Sequence, residues 1–154
     1  MSLKPWYKVV TPREDLREGR HLDASEFAVH LDQIRDGRAP VDYQNPDRFF
    51  ERTYITKNLG TIAAEVMRRL SGIKVETSAV FNMATQFGGG KTHALALLYH
   101  LARGGKTANT WHGVRTILDK AKINSIPSAR TAIFVGVEFD SLTGRGGTDG
   151  TPLR

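Results

Sequence analysis

The chain of 154 residues is 40% hydrophobic and 25% charged, the composition of a soluble globular protein of about one domain. Its 22 Lys and Arg against 16 Asp and Glu give a formal charge of +6, yet the basic residues are scattered, so charge alone does not indicate a DNA site. With no cysteine the sequence excludes disulfide scaffolds, thiolate metal sites and cysteine nucleophiles; no apolar stretch reaches the ~18 residues of a membrane span, and the opening MSLKPWYKVV lacks a signal-peptide core, so the expectation is an intracellular, cytoplasmic chain with no membrane partner.

Residues 1–22 mix prolines, charges and Gly19 and read as an irregular arm. Trp6, Tyr7, Lys8 and Arg13 have the make-up of a nucleic-acid contact, but a Trp in such an arm more commonly packs it down. A helical section is expected over 23–72. Asp23 can cap a helix, with Glu26 completing a capping box and Phe27, Leu31 and Ile34 on one face before Gly37 and Pro40 end it. Asn45-Pro46 is a second start, a cap followed by proline at the first helical position, with Phe49, Phe50 and Tyr54 following. Leu59, Ile62, Ala63, Val66, Met67 and Leu70 then trace an amphipathic helix that Gly72 closes.

The periodicity changes at 75–83, short and β-branched, which predicts a strand. Glycines 88–90 lead into an apolar helix from 91 to about 102, stopped by Gly104-Gly105. Val114, Ile117, Leu118 and Ala121 suggest another short helix, and the apolar run 131–139 reads as a strand buried on both faces. Strand, helices and strand over 73–140 form a βαβ unit, and 141–154 reads as a loop cut open.

The informative stretch is Thr85-Gln86-Phe87-Gly88-Gly89-Gly90-Lys91-Thr92, set between strand and helix. It follows the phosphate-loop template G-x-x-x-x-G-K-[ST], except that Thr85 stands where the first glycine is usual. Gly88, Gly89 and Gly90 let the backbone point successive N–H groups into one concavity at a helix N-terminus, which attracts phosphate. Lys91 would reach the β- and γ-phosphates of ATP, and the Thr92 hydroxyl would ligand Mg²⁺, a hard ion that prefers oxygen. His93 follows directly and joins this binding set, although packing is the commoner role for a residue on a first helical turn.

Other candidates are weaker. Glu138 and Asp140 end the second expected strand; they could be an acidic Mg²⁺-water ligand or a water-activating base, but a strand end with a turn-starting Asp is the preferred reading. Arg52, Tyr54 and Thr56 precede the long helix; Tyr54 could stack on adenine, but core packing with Phe50 is preferred. His21, His30, His100 and His112 have no metal-ligand spacing, and Met67 and Met83 sit at core-like positions.

The strings SLKPWYKVVTPREDLREGRHLDASEFAVHL, DYQNPDRFFERTYITKNL and TQFGGGKTHALALLYHL resemble the N-terminus of large predicted AAA+-superfamily ATPases, the domain-of-unknown-function family 499 proteins of bacteria and archaea. The resemblance runs over residues 2–139, and FGGGKTH with LYHL is more specific than the bare loop. It implies a Walker A loop at 88–92, with Lys91 and Thr92 in the roles above, and an α/β fold. That fold is a P-loop NTPase-type three-layer α/β/α sandwich, incomplete here, with a helical N-terminal section. It further implies Mg-ATP hydrolysis coupled to remodelling or DNA-related work, and assembly with copies or partner subunits. The acidic pair, sensor and arginine finger of such enzymes would fall beyond Arg154, so the expectation is an N-terminal fragment of a longer ATPase. The alternatives are a non-hydrolysing nucleotide- or phosphate-binding module and a small P-loop kinase, for which Arg103 and Arg115 give thin support as a lid.

Overall fold

The computed structural model describes residues 3–12, 14–19, 29–84 and 90–136. The arm holds a 3₁₀ turn (Trp6–Lys8) after Pro5 and a single helical turn, α1 (Glu14–Arg17). Trp6 and Tyr7 are 68% and 64% exposed, so the expectation that Trp6 packs the arm down is not met. The helix start expected at Asp23, with Glu26 and Phe27, lies outside the described residues.

Three short helices follow. In α2 (Leu31–Arg35), the His30 backbone N–H donates to Gln33 Oε1 at 3.2 Å, and Ile34 turns inward. After α3 (Val41–Gln44), α4 (Pro46–Arg52) starts as its sequence predicts: Pro46 takes the first position, and Asn45 Oδ1 accepts the Arg48 N–H at 3.1 Å. Asp42 ties α3 to α4 through ion pairs with Arg48, at 2.9 Å, and Arg52.

Three longer helices build the core. Thr56 Oγ1 caps α5 (Lys57–Leu70) by accepting the Leu59 N–H. Gly60, Ala63, Ala64 and Met67, at i, i+3, i+4 and i+7, form its buried stripe. Helix α6 (Lys91–Gly104) buries Ala94, Ala96, Leu97, His100, Leu101 and Ala102. It runs into a 3₁₀ turn (Gly105–Thr110) and then α7 (Val114–Ala121), whose inward residues are the four the spacing predicts. The small residues of α5 let it pack closely against α6 and α7. Phe49, Phe50, Met67, Leu97, Leu101, Trp111 and Ile117 fill the space between the helices. Burying each large side chain stabilises the fold by about 1.5–3 kcal/mol.

The sequence reading of a three-layer α/β/α sandwich is overturned: among the described residues there is no strand and no sheet. Around 75–83 the backbone turns instead of extending. Glu76 adopts φ 54°, the Thr77 hydroxyl donates to the Ile73 carbonyl at 2.8 Å, and the Ser78 hydroxyl donates to the Val80 carbonyl at 2.6 Å. Local side-chain bonds of this kind offer the backbone an alternative to a ladder. Val75 and Val80 are 74% and 80% exposed, so the apolar pattern there is not spent on a core.

At 131–136 the inward and outward alternation of a strand survives, with Phe134 outward. The segment follows Ala129, whose N–H donates to the Ala102 carbonyl at the end of α6 at 2.8 Å. Its own backbone has no ladder partner among the described residues. An apolar β-branched run becomes a strand only where neighbouring strands take up its N–H and C=O groups. Residues 137–139 of the expected strand lie outside the described residues.

Candidate functional site

The site begins at Gly90. Its φ of 71° and ψ of 17° place it in the left-handed region, which glycine enters without the penalty a Cβ imposes. The Gly90 carbonyl accepts the Ala94 N–H at 2.9 Å, the first bond of α6. Among the described residues no side chain caps this terminus, and its first turn carries no acidic residue. An α-helix leaves its first N–H groups without partners inside the helix, and its dipole adds partial positive charge there. Lys91 and Thr92, both half-buried, sit on that turn. Thr85, Gln86, Phe87, Gly88 and Gly89 lie outside the described residues.

A cleft of about 570 Å³ opens beside this terminus, lined by Tyr54, Asn58, Leu59, Asn82, Gly90 and Lys91 among others. Tyr54 corrects the sequence reading. It follows α4 in the connection to α5 and is 85% exposed at the cleft, whereas Phe50, with which core packing was expected, is fully buried. Periodicity groups the two because they lie four apart, but α4 ends at Arg52 and the helical spacing no longer holds. Thr56 caps α5, and Arg52 pairs with Asp42. Met67 is in the core as expected, and Met83 lines the cleft.

His93 lines the same cleft as Gly90 and Lys91, and its ring nitrogens reach α3 and the residue after α4. Its Nδ1 lies 3.3 Å from Tyr43 Oη and its Nε2 lies 3.1 Å from Thr53 Oγ1. The Thr53 hydroxyl in turn donates to the Phe49 carbonyl at 2.6 Å. The imidazole stacks at a tilt on the Phe49 ring, centroids 4.7 Å apart, and meets the Tyr43 ring edge-on at 5.8 Å. Burial pushes the His93 pKa below the ordinary histidine range and the Tyr43 phenol above its own. Sequence reasoning missed Tyr43 and Thr53, which carry no motif; their role exists only because α3 and α4 fold back onto α6.

For Mg²⁺ the donor set is thin. Among the described residues no three His, Cys, Asp or Glu side chains come together. Thr92 offers one hydroxyl oxygen, which suits an ion whose other ligands are phosphate oxygens and water. Glu138, Asp140 and His21 lie outside the described residues. His100 is buried, its Nε2–H donating to the Tyr43 carbonyl at 2.8 Å. His30 opens α2 and His112 is exposed. No helix among the described residues is long and apolar enough to cross a membrane.

The sequence model of one family, described as the DUF499 N-terminal domain, matches residues 1–130. That span includes the loop, the whole of α6 and the α3–α4 layer against it. No curated protein and no solved structure matches the chain.

Proposed function

The chain belongs to the DUF499 N-terminal domain family, and on that premise we propose that it binds Mg-ATP through a Walker A phosphate loop at 88–92, as the N-terminal part of a cytoplasmic AAA+-type ATPase. The observation that carries this reading is left-handed Gly90 opening onto α6, with Lys91 and Thr92 on the first turn and a cleft of about 570 Å³ alongside. The helix terminus attracts the phosphates, Lys91 reaches the β- and γ-groups, and Thr92 turns its hydroxyl to the metal. Mg²⁺, when bound, neutralises phosphate charge. Tyr54 at the cleft wall offers its ring to the base.

Hydrolysis requires a carboxylate that orients water, which in this reading another part of the whole ATPase supplies. In the whole protein the turnover would drive remodelling or DNA-related work, together with further copies or partner subunits. Calorimetric titration of Mg-ATP and Mg-GTP into the purified chain and into Lys91→Ala tests the binding reading. Saturable binding that the substitution abolishes supports it, and a folded wild-type chain that binds neither nucleotide overturns it.

A further inference from the structure

Among the described residues no side chain caps helix α6 at the end that faces the cleft. Gly90, the residue at which the chain turns into the helix, has no described atom within 4 Å of where a Cβ would stand. The first turn is nevertheless held, at its third residue. His93 makes a hydrogen bond on each side of its ring, one to α3 and one to the residue after α4, and its face lies on Phe49.

The donor inventory assigns the direction of each bond. Thr53 has a single hydroxyl proton, and it goes to the Phe49 carbonyl at 2.6 Å. The Thr53 oxygen can therefore only accept from His93, which puts the imidazole proton on Nε2. Nδ1 is then an acceptor and receives the Tyr43 hydroxyl proton. The chain Tyr43 to His93 to Thr53 to Phe49 uses every proton once and fixes one ring orientation.

Successive residues of an α-helix are about 100° apart around the axis, so pinning His93 fixes the directions of Thr92 and Lys91 as well. We propose that His93 is a positioning residue of the phosphate site: held by Tyr43 and Thr53, it sets the roll of the first turn of α6 and so aims Lys91 and Thr92 at the triphosphate. This rests on the Mg-ATP reading above. It also makes the α3–α4 layer part of the site although Tyr43 and Thr53 lie behind His93.

The test uses Tyr43→Phe and Thr53→Val, which each remove one hydroxyl and keep the shape, with His93→Ala and Lys91→Ala beside them in the full chain. Affinities for Mg-ATP and for Mg-tripolyphosphate are measured at a temperature where circular dichroism shows each variant folded. The expected result is an affinity about three- to tenfold weaker in Tyr43→Phe and in Thr53→Val. The loss should be equal for the two ligands, because it arises at the phosphates. The two hydroxyls share His93, so the double variant should lose less than the product of the single losses. Adding either substitution to His93→Ala should change nothing more; if His93→Ala does not fold, the Tyr43–Thr53 pair alone decides.

Binding that Lys91→Ala abolishes but that Tyr43→Phe and Thr53→Val leave at the wild-type value, with only melting temperature lowered, overturns the positioning role and leaves the Mg-ATP reading standing. A loss confined to Mg-ATP and absent for tripolyphosphate also overturns it. A wild-type chain that binds neither ligand overturns both.

Discussion

Gly104 lies directly beneath the indole of Trp111: a Cβ placed on it would overlap Cη2 of the ring and stand 3.0 Å from Cζ3. The backbone of Gly104 is ordinary right-handed helix, so the missing side chain answers to space and not to conformation. Trp111 is itself fixed, 7% exposed and with its ring 5.1 Å from that of fully buried Phe50.

Gly104→Ala should therefore behave as overpacking of a rigid site. The expected cost is about 2–3 kcal/mol, because neither an indole nor a helix backbone yields cheaply. In a chain of this size that lowers the melting temperature by about 5–10 °C. Thermal unfolding followed by circular dichroism checks it, and a melting temperature unchanged within a degree would mean that the α6–Trp111 contact is looser than its geometry.

Gly90 is the opposite case. A Cβ there meets no described atom within 4 Å, but its φ of 71° is strained for any L side chain. Gly90→Ala should cost about 1–2 kcal/mol through the backbone alone. Asn tolerates the left-handed region, so Gly90→Asn should recover part of that loss in spite of its larger side chain. Urea denaturation of the three proteins decides between the two causes. If Asn is worse than Ala, space and not conformation governs the turn.

His100 gives a pH dependence with a definite sign. Burial lowers its pKa below the ordinary 6.5, partly opposed by the bond to the Tyr43 carbonyl, and the rings of Phe49 and Tyr99 lie against it. The folded state thus resists protonation while the unfolded chain accepts it freely near pH 6.5. Stability should be full above that pH and fall as the pH drops through 6.5 toward the folded value, since the unfolded state then binds more protons. His93, lowered by burial too, acts in the same direction. Melting temperatures from pH 7.5 to 5 should show the decline, and His100→Gln should make it shallower. An unchanged slope in the variant would remove His100 as a source.

What the sequence disclosed about this fold was local. Asn45-Pro46 announced α4 because cap and proline act within one turn, and the spacing from Leu59 to Leu70 announced α5 because one face meets one core. The end of α6 at Gly104-Gly105 was equally legible. The strand expectations failed at 75–83 and 131–136 because a strand depends on partners that composition does not encode. The site divided along the same line. Gly90, Lys91 and Thr92 stand out as a motif, while Tyr43 and Thr53 are fifty and forty residues from His93 in sequence. Their place against His93 is a product of tertiary packing alone.

On the proposed Mg-ATP reading, Tyr54 offers a way to separate base from phosphate recognition. At 85% exposure it contributes little to the core, so Tyr54→Ala should leave the melting temperature within about 1 °C of wild type. Its ring lines the same cleft as Gly90 and Lys91, on the wall formed by the connection between α4 and α5. Stacking of an aromatic side chain on a base is worth about 1–3 kcal/mol. Removing the ring should then weaken Mg-ATP about fivefold or more, yet leave Mg-tripolyphosphate, which has no base, unaffected. Lys91→Ala should weaken both. Equal losses for the two ligands in Tyr54→Ala would assign the ring to the phosphates or to the shape of the cleft, and no loss for either would place the base on another wall.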